Sequence, residues 1–217
     1  MKYLSTDITN GQYTPRGEIC VRGLNVFRGY WKNAEQTAET LDSDGWLHSG
    51  DIGRWNVDGT LSIIDRKKNI FKLSQGEYIA PEKIENVYAR SKYVAQSFVY
   101  GDSLQSELVA IVVPDFEVLQ SYAKQHNLST DVKQLVQHTR VRSLILADMV
   151  KIGKQSKLQS FEQVKAIRLH DELFSVENDI LTPTQKLKRP YAKDKFQSHI
   201  DEMYSELKKN AKPVSKL

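Results

Sequence analysis

The stretch 44–85, DGWLHSGDIGRWNVDGTLSIIDRKKNIFKLSQGEYIAPEKIE, constrains this chain more than any other. It is dense in Gly, Asp, Lys and Arg yet threaded by short apolar runs. Such a composition suits brief strands and loops arranged to hold something polar. Asp58-Gly59 lies between Gly53-Arg54-Trp55 and Leu61-Ser62-Ile63-Ile64, which is a hairpin signal. Residues 69–73 and 77–79 predict a second short strand pair turning at Gln75-Gly76. Pro81 then opens a helix at a favourable first-turn position, with Ile84, Val87 and Tyr88 on one face.

Two features inside this stretch carry chemistry. Asp51 sits in Ser-Gly-Asp, where the glycine lets backbone approach a ligand closely and the carboxylate can accept paired hydroxyl donors such as a ribose diol. The run Asp65-Arg66-Lys67-Lys68 follows an apolar strand and sets cations at its end, a position suited to phosphate contacts. Taken singly, an Asp beside a glycine is ordinary turn chemistry and a basic run is a solvated face. It is their combination that points to a site.

On the N-terminal side, Asn10-Gly11 and Pro15-Arg16-Gly17 are turn signals, and GEICVRG (residues 17–23) alternates as a strand. Residues 33–41 read as a short polar helix. This front section has too few long apolar elements to bury a core alone. After residue 94 the pattern is ordinary α/β. Residues 94–100 and 107–114 are β-rich runs, Asp115 can cap a helix carrying Phe116, Leu119, Tyr122 and Ala123, and a longer helix is expected over 131–152. Ser160 with Gln163 offers a capping box, although residues 164–170 look like a strand. The last helix starts at Pro190 and carries Phe196, His199, Ile200, Met203, Tyr204 and Leu207 as an apolar stripe, with His199 read as a packed histidine.

With 217 residues and a net charge of +4, the chain has length for one large domain or for one domain and part of another. The mild basic balance suits an anionic ligand, but there is no zinc-finger spacing and no aromatic-studded basic stripe, so nucleic acid is not the expected partner. The single cysteine, Cys20, excludes an internal disulfide framework. The histidines at 48, 126, 138, 170 and 199 show no pair at ligand spacing, and the sequence predicts no metal site. No apolar run reaches bilayer-spanning length, and residues 1–18 contain no secretory h-region.

The segment GYW…DGWLHSGDIGRW…IIDRKKNIFKLSQGEYIAPEKIE resembles the adenylate-forming superfamily and, more narrowly, the signature of long-chain fatty acyl-CoA synthetases. LTPTQKLKRP (residues 181–190) resembles the closing motif of the same family, and the resemblance runs from about residue 17 to about residue 207. It implies an α/β chain in three parts. Residues 1–64 would be the C-terminal end of a large AMP-binding domain, incomplete here; 65–209 a small mixed α/β C-terminal domain after a hinge at Asp65; and 210–217 a tail. It further implies that Asp51 binds the ribose hydroxyls of ATP or AMP, that Arg66 contacts ribose or phosphate, and that Gly76 lies in the loop facing the CoA step. Lys186 matches the catalytic lysine, which stabilises charge on the α-phosphate and carboxylate during adenylation. Its neighbour departs from the broader superfamily, which often has Gly immediately before that lysine; here the residue is Gln185.

The resemblance implies ATP, CoA and Mg²⁺ as cofactors, with the Mg²⁺ sites outside this chain, and a fatty acid as substrate. The Ser/Thr/Gly-rich phosphate loop of the family has no counterpart here, so the chain alone is expected not to adenylate a fatty acid. Ser215-Lys216-Leu217 matches the receptor-read peroxisomal address, which implies an import receptor as partner and the peroxisome as location. No transmembrane segment is expected; peripheral association with a membrane surface is compatible with the sequence. Two other readings stand beside the ligase: another adenylate-forming enzyme such as an aryl-CoA ligase, or a non-catalytic binding module or truncated product.

Overall fold

The computed structural model describes residues 7–9, 12–14 and 16–210. The chain divides into two compact units, Met1–Ile70 and Phe71–Leu217. In the first, β1 (Asp7–Thr9) and β2 (Gln12–Thr14) pair antiparallel, and the turn signal at Asn10-Gly11 lies outside the described residues. The main sheet is a meander of β3 (Arg16–Val21), β4 (Leu47–Trp55) and β5 (Leu61–Arg66), in that order and antiparallel throughout. The turn at Asp58-Gly59 closes the β4–β5 hairpin as its sequence predicts, with the Thr60 amide donating to Asp58 Oδ1 at 2.9 Å. Helix α1 (Ala34–Thr40) starts at Asn33, whose side chain accepts from the Gln36 amide at 3.0 Å.

This unit buries very little. Among its described residues Ile52 is the apolar side chain that reaches the interior, at 2% exposure, joined by the carboxylate of Asp65 at 3%. Trp55, Leu61 and Ile63 on the sheet, and Leu24 and Trp31 in the loop before α1, remain exposed. A lone β-meander with so little apolar burial lacks the area that offsets chain entropy, in line with the shortage of apolar elements in its sequence.

The second unit has a full core. It begins with the two-residue strands β6 (Phe71–Lys72) and β7 (Tyr78–Ile79), then α2 (Pro81–Tyr88) with Pro81 in its first turn. Strands β8 (Val94–Tyr100), β9 (Leu108–Pro114) and β10 (Val164–Leu169) form the central sheet in the order β10-β9-β8. β8–β9 is antiparallel and β9–β10 parallel. Every residue of β9 is buried, and its alternation supplies two cores. Leu108, Ala110 and Val112 face a cluster that includes Ile84 and Tyr88 of α2, while Val109, Ile111 and Val113 face a cluster with Phe174, Ile180 and the last helix. This is how a central strand covered on both faces reads: a continuous apolar run in place of alternation.

The first face is completed by α3 (Phe116–Gln125), α4 (Val132–Gln137) and α5 (Thr139–Gln155), whose inward residues Val141, Ile145 and Met149 recur every four positions. Asp115 caps α3 through the Val118 amide, as expected. The long helix expected over 131–152 is two helices, broken at His138, which takes an extended backbone and caps α5 by accepting from the Arg140 amide through Nδ1. The capping box at 160–163 is displaced by one residue, to Gln159 and Glu162 around a 3-10 turn. The opposite face is covered by α6 (Arg189–Asn210), with Phe196, Ile200, Met203 and Tyr204 inward. His199 is exposed rather than packed: its position falls outside the buried arc, beside Glu202. No helix among the described residues is long and apolar enough to cross a membrane.

Candidate functional site

Asp51 and Arg66 are brought together by strand register. They face each other across β4 and β5, and the Arg66 Nε donates to Asp51 Oδ1 at 2.9 Å. Asp51 follows Gly50, which stands at φ +71° and carries no side chain into the space beside the Arg66 guanidinium. The Asp51 amide is taken by Ser49 Oγ at 3.0 Å, and the Gly50 carbonyl accepts from the Lys67 amide at 2.8 Å. The strand end is therefore fixed while both charged groups stay partly exposed. An ion pair this exposed stabilises by no more than about 1 kcal/mol; its value is in orienting a carboxylate beside a cation at the surface.

Asp65 plays a different part. Its Oδ1 accepts from the Arg66 amide at 2.7 Å and from Asn69 Nδ2 at 3.1 Å, while the Asn69 and Ile70 amides return to the Arg66 carbonyl. The buried carboxylate thus holds the turn at the end of the first unit. The division between compact units lies just beyond this turn, after Ile70, whereas the expected boundary at 64/65 falls inside β5.

In the second unit, Gly76 stands at φ +98° in the turn between β6 and β7, donating to the Leu73 carbonyl at 2.9 Å. A Cβ added there would meet only Lys72 Cε at 3.8 Å, so backbone conformation and not space requires the glycine. The turn is tied down by Ser74 and Gln75, which donate to the carbonyls of Gln105 and Ser106.

Lys186 occupies a tight reversal. Leu181 and Leu187 form an antiparallel bridge, the Gln185 amide donates to the Thr182 carbonyl at 2.8 Å, and the Lys186 amide donates to Thr182 Oγ1 at 3.1 Å. Gln185 sits at φ +60°, the left-handed region that favours glycine, which accounts in backbone terms for the glycine that the superfamily often has here. The two lysines of the motif separate clearly. Lys188 Nζ is held by Asp179 Oδ1 at 3.0 Å, whereas the exposed Lys186 has no side-chain partner among the described residues and is available to a ligand.

One residue pair escaped the sequence reading. Arg189, at the start of α6, makes a two-pronged contact with Glu85 of α2, at 3.0 and 2.5 Å, with both side chains about 15% exposed. Glu85 Oε1 also accepts from the Val99 amide on the open edge of β8 at 2.8 Å. The pair anchors the base of the Lys186 reversal to the sheet. A separation of 104 positions leaves no local signal for it.

The second unit is a three-layer mixed α/β domain similar to the C-terminal part of adenylation domains. Residues 83–173 match the AMP-binding enzyme C-terminal domain. More narrowly, the chain is similar to long-chain-fatty-acid–CoA ligases. It is 60% identical over 192 residues to long-chain-fatty-acid–CoA ligase 1 of Cavia porcellus, covering 88% of this chain and 28% of that protein. It is 52% identical over 218 residues to the peroxisomal long chain acyl-CoA synthetase 7 of Arabidopsis thaliana, covering 100% of this chain and 31% of that protein. The chain therefore spans less than a third of the length of these relatives. Among solved structures, it is similar to the adenylation domain of a carboxylate reductase from Mycobacterium chelonae, with a TM-score of 0.77 and 34% identity over 88% of this chain and 28% of that one. The corresponding domain from Segniliparus rugosus, solved with AMP and a co-purified carboxylic acid, gives the same TM-score and identity, covering 89% of this chain and 29% of that one.

Proposed function

We propose that this chain supplies the closing part of a long-chain fatty acid–CoA ligase. The reaction has two steps. A fatty carboxylate oxygen attacks the α-phosphorus of ATP and expels pyrophosphate, giving acyl-AMP. The CoA thiol then attacks the acyl carbon, loses its proton and releases AMP. In this reading Asp51 accepts the two ribose hydroxyls, and Arg66 orients that carboxylate and reaches the ribose or phosphate. Lys186 offsets the negative charge that builds on the α-phosphate and attacking carboxylate. Gly76 lies on the loop that meets CoA in the second step, and the turn begun by Asp65 serves as the hinge that exchanges the two arrangements. The observation that carries the reading is the Asp51–Arg66 pair: a carboxylate and a guanidinium oriented at a strand end and still open to a ligand.

Mg²⁺ is expected with the triphosphate. Its sites are expected outside this chain, and Asp51 is assigned to the ribose, with its Oδ1 already paired to Arg66. The proposed location is the peroxisome, through recognition of Ser215-Lys216-Leu217 by an import receptor where these residues form a free C-terminus. They lie outside the described residues; support comes from relatives named as peroxisomal. A fluorescent protein placed ahead of the chain should collect in peroxisomes and turn diffuse when Leu217 is removed; diffuse signal from the intact tail would refute the address.

The functional test replaces the corresponding segment of a related long-chain ligase with this chain and follows acyl-CoA formation from palmitate, ATP and CoA. The chimera should be active. Asp51→Ala should lower kcat/KM for ATP on the order of 100-fold, the loss of two hydrogen bonds to a charged acceptor. Unchanged ATP kinetics in that variant would remove Asp51 from the nucleotide site.

A further inference from the structure

The sheet of the first unit gathers a second cluster that the reading above does not use. The pairing register of β3 with β4 shifts between Glu18 and Cys20, and past this irregularity Cys20 is the register partner of His48 on β4. Cys20 Sγ lies 3.5 Å from His48 Nδ1, and His48 Nδ1 lies 3.3 Å from Glu18 Oε2. All three donor atoms fall within 4.8 Å of one another.

We propose that Glu18, Cys20 and His48 form a binding site for a soft divalent cation of the zinc class. The geometry supports it directly. With zinc–sulfur, zinc–nitrogen and zinc–oxygen bonds of about 2.3, 2.05 and 2.1 Å, the edges of a tetrahedron are about 3.6 Å from sulfur to nitrogen and about 3.4 Å from nitrogen to oxygen. The observed sulfur-to-nitrogen and nitrogen-to-oxygen separations match these two edges, and the sulfur-to-oxygen edge lies within 4.8 Å. A thiolate, an imidazole and a carboxylate together select zinc over calcium or magnesium, which prefer all-oxygen shells.

The surroundings are also those of a metal-bound histidine. Asp42 Oδ2 lies 3.3 Å from His48 Nε2 and can hold the proton there, as a carboxylate behind a histidine ligand does; Nδ1 lies 3.3 Å from Glu18 Oε2, so the cation would take the place of the proton shared between them. Lys67 Nζ contacts Glu18 Oε2 at 2.8 Å, so an ammonium now occupies the coordination side of that carboxylate. The metal and Lys67 therefore compete for Glu18, and the fourth tetrahedral position is left for water. His48, at about a third exposure, provides an entry path from solvent.

Cobalt(II) titration of the chimeric ligase carrying this chain, beside its Cys20→Ser variant, tests this. Cys20 is the single cysteine of this chain, so the part of a thiolate-to-cobalt charge-transfer band that is lost in Cys20→Ser comes from this site. One equivalent of cobalt should produce that band, and zinc should abolish it. Cys20→Ser should eliminate that part of the band, and His48→Gln should weaken binding at least tenfold. Asp42→Asn should weaken it about 10–100-fold, while Lys67→Met should strengthen it several-fold by removing the competitor. The last variant deletes no ligand and gives a gain no folding defect would imitate. Absence of that part of the band at stoichiometric cobalt, binding indifferent to His48→Gln, or unchanged or weaker binding in Lys67→Met would each overturn the site.

Discussion

Arg189→Met should destabilise the second unit by about 3–5 kcal/mol, the cost of stripping one partner from a buried ion pair. The structure places the pair in that class: both side chains are about 15% exposed, and Arg189 gives two hydrogen bonds to the two oxygens of Glu85. Removing the guanidinium takes the two-pronged Arg189 contact from a largely buried carboxylate on α2, while the Val99 amide still donates to it. Such a loss is a large fraction of the 5–15 kcal/mol typical of a domain. The control is the double variant Glu85→Gln/Arg189→Met. The amide oxygen of Gln can still accept from Val99, and no buried charge remains, so most of the loss should return, to within about 1–2 kcal/mol of the parent. Urea unfolding followed by far-ultraviolet circular dichroism measures all three proteins, compared at a common slope. A cost below about 1 kcal/mol for Arg189→Met would show that the pair behaves as an exposed one. A double variant less stable than the single would refute the argument from the lost ion-pair partner.

Other outcomes follow from particular residues. Gln185 at φ +60° carries a left-handed strain on the order of 1 kcal/mol, so Gln185→Gly should raise the urea midpoint or leave it unchanged. Gln185→Val, with a branched Cβ, should lower it; the reverse order would remove the strain. His170 packs edge-on against Phe196 with Nε2 buried and without a hydrogen-bond partner, and burial holds its pKa below the ordinary histidine range, against the opposing pull of Asp171. The unfolded chain therefore takes this proton more readily, and the associated stability is complete above the ordinary value of about 6.5 and lost as pH falls through it. The decline in unfolding free energy toward acid should be shallower in His170→Phe, and NMR should show the parent imidazole titrating below free histidine. Asp115→Ala removes the α3 cap and should cost about 1 kcal/mol by urea unfolding; a neutral result would mean water satisfies the Val118 amide equally well.

Much of the second unit was legible because its signals are local. The unbroken apolar run of β9, Pro81 at a helix start and Asp115 as a cap each act within a few residues, and the Asp58-Gly59 turn does the same for the first unit. The break at His138 was not legible, because residues on both sides keep helical composition; what stops the helix is the histidine side chain serving as a cap. His199 illustrates the limit of reading a stripe by residue type: it lies one position from Ile200, and that single step of about 100° turns it from the core to solvent. The candidate site residues Asp51, Arg66, Gly76 and Lys186 all come from contiguous motifs. Glu85–Arg189 and the Glu18–Cys20–His48 cluster depend on strand register and long-range packing, and sequence spacing does not encode them.

The division of labour assigned to Lys186 is tested most directly by measuring the two half-reactions separately in a chimeric ligase carrying this chain. Lys186→Ala should slow acyl-AMP formation about 100- to 1,000-fold, the loss of one positioned charge worth about 2.7–4 kcal/mol, and leave CoA thioester formation from preformed acyl-AMP nearly unchanged. Equal losses in both half-reactions, or a loss in neither, would contradict the account.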